Sequence, residues 1–289
     1  MSSSWLQLSL RTAPAELDAV SNFLIERGSR GVVLKRDEVQ AYFPYSRDFA
    51  TVRKDVRRFL HSMRDVGAEV SDESVQWRIV KDRNWNNAWR RFFHPQRVGQ
   101  RFLVSPPWIK PPRLGRRHLI TIEPGMAFGT GTHATTRGCI EFIEQVACSF
   151  LGSDFIALDV GTGSGILSIA LAKLGAKRVW ALDNDPVALK VARSNVNYNG
   201  VQETIRLSRT RPTRIRKSFP IVVANLTAET ILDLASALDK KVAPKGFLIL
   251  AGILRPKAKD LIDRFAANGF TVVRRKNEKE WTTLLFRRK

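Results

Sequence analysis

The 289-residue sequence predicts an α/β protein of two domains: a small N-terminal α+β unit of ferredoxin-like type, then a doubly wound parallel sheet with antiparallel strands at its C-terminal edge. Three observations predict this. The apolar patterns of the first 80 residues follow the order β-α-β-β-α-β. From Phe155 onward, short strand patterns alternate with helical ones of about 10–14 residues. Between the first of those strands and the next helix lies a glycine-rich turn, Gly161-Thr-Gly163-Ser-Gly165.

Taken in order, Leu6, Leu8 and Leu10 alternate as in a half-buried strand. Residues 16–27 place Leu17, Val20, Phe23 and Leu24 at helical spacing, and Gly28 sits where a C-cap belongs. Strands at 32–35 and 39–43 flank the turn Arg36-Asp37-Glu38. A second helix over 51–66 puts Val52, Val56, Phe59, Leu60 and Met63 on one face, and 75–80 returns as a strand. Residues 81–117 differ in character, with Trp85, Trp89, Phe92, Phe93, Phe102 and Trp108 among basic residues and a proline-rich stretch, Pro106, Pro107, Pro111 and Pro112. They read as a connector whose aromatic rings either pack between domains or stack on unpaired bases. The expected division is therefore 1–80, 81–117 and 118–289. In the last part, strands fall at Phe155–Val160, 178–183, Ile205–Ser208, 219–224 and 246–252, with helices beginning near Gly165, Pro186, Ala228 and Pro256. Strands at 271–276 and 281–287, joined by a polar turn, pair antiparallel at one edge.

Composition narrows the function classes. Lys and Arg number 48 against 27 Asp and Glu, a net charge of +21 and a pI near 10.8. Such a field attracts polyanions. The excess is spread evenly, 22 basic and 12 acidic residues in 1–117 against 26 and 15 in 118–289, with one dense cluster at Arg206, Arg209, Arg211, Arg214, Arg216 and Lys217. It reads either as a solvated basic bias or as contact with rRNA or a ribosomal particle. Apolar runs such as 247–251 are far short of the roughly 18 residues of a membrane span. Residues 1–5 lack the charged start and apolar stretch of a signal peptide. Cys139 and Cys148 lie in one helix with no CxxC pair. Secretion, membrane insertion, a disulfide scaffold and a metal site are not expected, which leaves a soluble cytoplasmic protein.

The strand 155–160 runs through Asp159 into Gly161, Gly163 and Gly165 and straight into a helix, a Rossmann-like arrangement in which glycine lets a ligand approach the backbone. The next strand ends at Asp183, placed to accept hydrogen bonds from ribose hydroxyls. A dinucleotide fingerprint would carry its third glycine one position later, where Ile166 stands. Asp159-Val-Gly-Thr-Gly-Ser-Gly165 followed by Leu182-Asp-Asn-Asp-Pro186 instead resembles the class I S-adenosyl-L-methionine (AdoMet) methyltransferases, and that resemblance implies AdoMet in place of NAD. Asp159 is either a ligand group or a carboxylate that caps the helix or braces the loop. Asp185, followed by Pro186, reads as an N-cap. A second glycine-rich stretch, Glu123-Pro-Gly-Met-Ala-Phe-Gly-Thr-Gly-Thr-His133, precedes Thr135, Thr136 and an amphipathic helix with Ile140, Ile143, Val146 and Ala147. It is either a donor-rich ligand loop or a turn capped by Thr135 or Thr136. Asn225, in Val222-Val-Ala-Asn225-Leu226-Thr227, stands at the carboxyl end of the fourth strand, as a ligand group or as a cap of the next helix.

Together PGMAFGTGTHATT, DVGTGSG, DNDP, VVANL, the late Glu280-Trp281 and the segment from Asp82 to Pro95 resemble, in order and spacing from about residue 80 to the end, the bacterial ribosomal protein L11 methyltransferase family. The resemblance implies an N-terminal domain that recognises the protein substrate and a class I AdoMet-dependent domain that methylates lysine ε-amines and an N-terminal α-amine. Carried over by position, it assigns Thr136, Gly161, Gly163, Asp183 and Asn225 to AdoMet, with Phe128, Gly129, Thr130 and His133 as a loop closing over the methionine end. For His133, bracing that loop remains the alternative to direct contact. Asn225 also receives an orienting role in methyl transfer. Leu226 and Thr227 follow it, where the family commonly has Ile-Leu. Other readings are methylation of a different protein lysine or of rRNA, or a basic ribosome-assembly factor with a vestigial AdoMet fold. The segment Asn225-Leu-Thr-Ala228 lacks the prolines and aromatic ring common in enzymes that methylate base amines, and the intact glycines and Asp183 speak against decay.

Overall fold

The computed structural model of the protein describes residues 4–45, 49–65, 67–68, 70–81, 93–111, 113–124, 133–150 and 152–289. The chain divides into two compact units, Met1–His94 and Pro95–Lys289.

In the first unit, β1 (Ser4–Thr12), α1 (Leu17–Glu26), β2 (Gly31–Leu34), β3 (Glu38–Pro44), α2 (Phe49–Asp65) and β4 (Val70–Lys81) follow the expected order. The sheet runs β2-β3-β1-β4 with every pair antiparallel, the ferredoxin-like arrangement. Leu6, Leu8 and Leu10 are buried beside Val20, Leu24, Val56, Leu60 and Met63, so the alternation of period 2 and the helical stripes meet in one core. Gly28, at φ +90°, ends α1 as the sequence predicts.

The second unit begins earlier than the sequence suggests. Within the expected connector, β5 (Gln96–Val98) and β6 (Phe102–Ser105) form a hairpin, and β7 (His118–Thr121) adds to β6 in parallel. Val98, Phe102, Val104 and Ile120 belong to the core of the second unit, so residues 95–117 are part of that unit. Residues 82–92, with Trp85, Trp89 and Phe92, lie outside the described residues. Next come α3 (Ala134–Ala147), β8 (Phe155–Val160), α4 (Ile166–Lys173), β9 (Ala176–Leu182), α5 (Pro186–Tyr198), β10 (Ile205–Ser208), β11 (Phe219–Asn225), α6 (Ala228–Lys241), β12 (Val242–Leu254), α7 (Ala258–Ala266), β13 (Phe270–Glu278) and β14 (Trp281–Arg288).

The main sheet has the order β10-β9-β8-β11-β12-β14-β13, parallel from β10 to β12. The final hairpin is antiparallel, as expected, and β14 is the strand that lies between β12 and β13. Both faces of its central strands, β8, β11 and β12, are covered, which explains their uninterrupted apolar runs. Alternate residues divide between them: Ala157, Ile221, Val223, Ile249, Ala251 and Leu285 pack under α3 and α4, and Leu158, Val222, Ala224, Leu248, Leu250 and Phe286 under α6 and α7. Gly138, in the middle of α3, lets the helix lie against β14, where a Cβ would collide with Thr283 Oγ1.

Candidate active site

The strand order reverses between β9-β8 and β8-β11, and the crevice at the carboxyl ends of β8, β9 and β11 is the place where such a sheet binds ligands. The loop after β8 is built by its glycines. Gly161, Gly163 and Gly165 all have positive φ, +75°, +54° and +83°, a region that L side chains reach only with strain. Gly161 and Thr162 donate their backbone N–H groups to Leu182 O (2.8 and 2.9 Å), which ties the loop to the end of β9. Asp183 completes that tie: Oδ2 accepts from Gly163 N at 2.9 Å and Oδ1 from Asp185 N at 3.0 Å. Each carboxylate oxygen keeps a further lone pair. Asp185 caps α5 through Val187 N at 2.8 Å, with Pro186 at the first helical position, as the sequence predicts.

Asp159 has the bracing role. Fully buried, it accepts from Thr162 Oγ1 and Ser168 Oγ through Oδ2, both at 2.7 Å, while Oδ1 is buried without a partner. Burial pushes its carboxyl up to about 6, against the lowering effect of these hydrogen bonds, with the nearby Asp183 charge adding to the rise. Burial and the Asp159 charge likewise raise the Cys139 thiol of α3.

Asn225 closes β11 on the sheet face that α3 covers, two residues after Val223, which pairs with Asp159. It does not cap the next helix. Thr227 is the N-cap of α6, accepting from Thr230 N, and Asn225 Oδ1 is left buried without a hydrogen bond. Leu226 holds this turn in place between two glycines: a Cβ on Gly161 would collide with its side chain, and one on Gly252 (φ +81°) with its carbonyl. On α3, His133 is the N-cap. Its Nδ1 lies 2.8 Å from Thr135 Oγ1 and accepts from Thr135 N, and its ring meets Trp281 edge-on at 5.1 Å. Neither Thr135 nor Thr136 is the cap. Thr136 Oγ1 is instead fully buried and unpartnered, as is Nε1 of Trp281 at the start of β14. Phe128, Gly129 and Thr130 lie outside the described residues.

Buried polar atoms without partners are uncommon and costly in a folded chain. Here the carboxyl end of the sheet presents Thr136 Oγ1 and Asn225 Oδ1 with a glycine loop and a ribose-competent carboxylate, a donor and acceptor set that fits a nucleoside with polar groups at both ends.

The family model described as ribosomal protein L11 methyltransferase matches residues 4–289. The chain belongs to this family. Ribosomal protein L11 methyltransferases of Geobacter metallireducens and Geobacter sulfurreducens are 36% and 35% identical to it, each alignment covering 99% of both chains. The crystal structure of ribosomal protein L11 methylase from Lactobacillus delbrueckii subsp. bulgaricus matches with a TM-score of 0.62 at 31% identity, over 68% of this chain and 100% of that one. Like its family, the chain is an AdoMet-dependent protein methyltransferase.

In this methyltransferase the glycine loop after β8 is tied to Glu123, at the end of the segment after β7, by a residue that the sequence does not single out. Asn195 of α5, fully buried, donates through Nδ2 to Ser164 O (2.8 Å) and accepts through Oδ1 from Glu123 N (3.0 Å). Asn199, one turn later, holds Thr121 by both of its backbone groups. Glu144 of α3 accepts from Gln100 N and Arg101 N at 2.9 and 2.8 Å, anchoring the β5–β6 hairpin. The signal for the two asparagines is their one-turn spacing in Asn195-Val-Asn-Tyr-Asn199, which puts both amides on one face of α5.

Proposed function

We propose that this enzyme transfers methyl groups to lysine ε-amines and the N-terminal α-amine of ribosomal protein L11 in the cytoplasm, with the ferredoxin-like domain recognising that protein. Bound AdoMet supplies an electrophilic methyl group on a sulfonium. Asp183, already held by two backbone amides, accepts the ribose hydroxyls with its remaining lone pairs, and Gly161 and Gly163 let the nucleoside lie against the backbone. Thr136, with Phe128, Gly129 and Thr130 of the preceding stretch, holds the methionine end, and His133 acts on that stretch by capping α3 against Trp281.

The attacking amine must be neutral, and lysine has a pKa of about 10.4. Desolvation at the crevice lowers that value. Asn225 Oδ1 accepts a hydrogen bond from the neutral amine and fixes its direction, while the proton leaves to water. Positioning of this kind supplies about 7–11 kcal/mol. The observation that carries the reading is the pair of buried, unpartnered oxygens on Thr136 and Asn225, together with a glycine loop whose own hydrogen bonds are already made.

A chain at +21 repels a free basic protein and attracts one covered by RNA, so the substrate is met on an anionic assembly particle. Transfer of radiolabelled methyl groups to fractionated ribosomal material tests the acceptor. Label in a single small protein supports the reading, label in RNA overturns it, and a calorimetric titration with AdoMet that shows no binding removes the cofactor site.

A further inference from the structure

We propose that the edge of the main sheet formed by β10 and the following segment, with Arg206, Arg209, Arg211, Arg214, Arg216 and Lys217, is a binding surface for RNA. The other parallel crossovers of this sheet use helices: α4 between β8 and β9, α5 between β9 and β10, and α6 between β11 and β12. Between β10 and β11 the chain instead makes a single 3-10 turn, Pro212–Arg214. Trp180 of β9 is therefore left half-buried near the sheet edge. Arg206 is paired with it in register and shares its face, as does Arg178 two residues before it, and Lys217 Nζ lies 5.3 Å from the centre of its ring.

All six basic residues of the cluster are exposed, and so is Arg178. Among the described residues none of the six is in an ion pair, and the 25 residues from 204 to 228 contain no Asp or Glu. A merely solvated segment mixes both signs, and this one does not.

The display is also fixed. Pro212 is buried, Ile215 packs on the core, Lys241 Nζ donates to Ile215 O, and Arg214 N donates to Arg211 O at 3.0 Å. A fixed surface loses little conformational entropy on binding. Five of the six cations are arginine, whose planar fork matches phosphate oxygens, and a half-buried indole beside them offers a face for a base. That combination favours RNA over an acidic protein. The segment leaves the sheet at Ser208, whose carbonyl accepts from Asp183 N at 3.2 Å, so its first part, with Arg209, starts at the same end of the sheet as Asp183.

The inference rests on the reading that the substrate is met on RNA, but its test needs no methylation. Fluorescence anisotropy with a labelled single-stranded RNA of about 24 nucleotides should show binding at about 50 mM salt that weakens steeply by about 200 mM. Arg209→Ser/Arg211→Ser/Arg214→Ser should lower the log–log salt slope by about 2, at roughly 0.7 per phosphate contact, and weaken binding at least about tenfold. The charge-matched control Lys54→Ser/Arg57→Ser/Lys257→Ser should change affinity by less than about twofold. Trp180→Leu should weaken binding about fivefold or more with no change in slope, the mark of stacking.

Equal losses in the two triple variants overturn the proposal, as does poly-glutamate competing as well as RNA of the same charge. Calorimetric AdoMet binding by the cluster variant should equal wild type. If RNA binding is absent while AdoMet binding and methylation of free protein persist, the surface is refuted and the active site stands.

Discussion

The two sides of the crevice are prepared for a ligand in different ways. On the side of β8 and β9, the loop Gly161–Gly165 has its geometry set by the chain itself: Leu182 O takes two of its amides, Asp183 takes a third, and Asn195 takes the carbonyl of Ser164. On the side of α3, β11 and β14, Thr136 Oγ1, Asn225 Oδ1 and Trp281 Nε1 are buried with no hydrogen bond. A wall that is satisfied before binding contributes shape, since it has nothing to reorganise. A wall with unsatisfied atoms carries a stability cost that a ligand can relieve. Asp159 Oδ1 is the exception on the first side, and its raised pKa records it.

The largest effect should come from disturbing the satisfied wall. Gly161→Ala places a Cβ against Leu226 at φ +75°, and AdoMet affinity measured by calorimetry should fall about 100-fold or more, through backbone strain and overpacking. Leu226→Ala in the same chain should restore part of that loss; no recovery would show that Leu226 is not what fills the space. Next is Asp159→Asn. A carboxyl raised to about 6 from an ordinary 3.8 disfavours the folded state once ionised, so this group's contribution to stability falls as pH rises from about 4 to about 6 and is flat above. Unfolding by urea should therefore show the variant gaining on wild type by roughly 3 kcal/mol between about pH 4 and pH 7. A difference independent of pH would mean that Asp159 stays ionised in the fold.

Smaller, but decisive for the two walls, is the contrast between Asp183→Ala and Asn225→Ala. The first should weaken AdoMet binding about 30-fold, and the second should cut turnover by a similar factor with affinity falling less than about fivefold. Equal losses of binding would merge the two roles. The smallest effect has opposite signs in its two readouts: Thr136→Val should raise the melting free energy of the ligand-free protein by about 1 kcal/mol while lowering AdoMet affinity about fivefold. If the melting temperature drops instead, the hydroxyl has a partner within the protein.

Much of the first wall is legible in the sequence because its cause is local. Glycine at 161, 163 and 165 is demanded by backbone angles, and Asp183 and Asp185 act on amides within a few residues of the turn or directly across it. Asn225 and Thr136 are legible as candidates, but only the structure removes the competing role of helix cap, because His133 and Thr227 fill it. What stays hidden depends on distant pairing. Asn195 reaches Glu123 across 72 positions and Glu144 reaches Gln100 across 44, with no local pattern to announce either. The strands β5 to β7 are three or four residues long and interrupted by glycine, proline and arginine, too short for alternation to register, and so a piece of the core reads as a connector.

Gly138 has a further consequence. Glycine inside a helix costs about 0.8–1 kcal/mol relative to alanine, and here it leaves room for Thr283 of β14. The two positions thus share one fixed volume, and a gain at 138 has to be matched by a loss at 283. Among homologous chains they should coevolve as a pair, with alanine at the first accompanied by glycine or alanine at the second. Two such residues, 145 positions apart, would be selected as one trait.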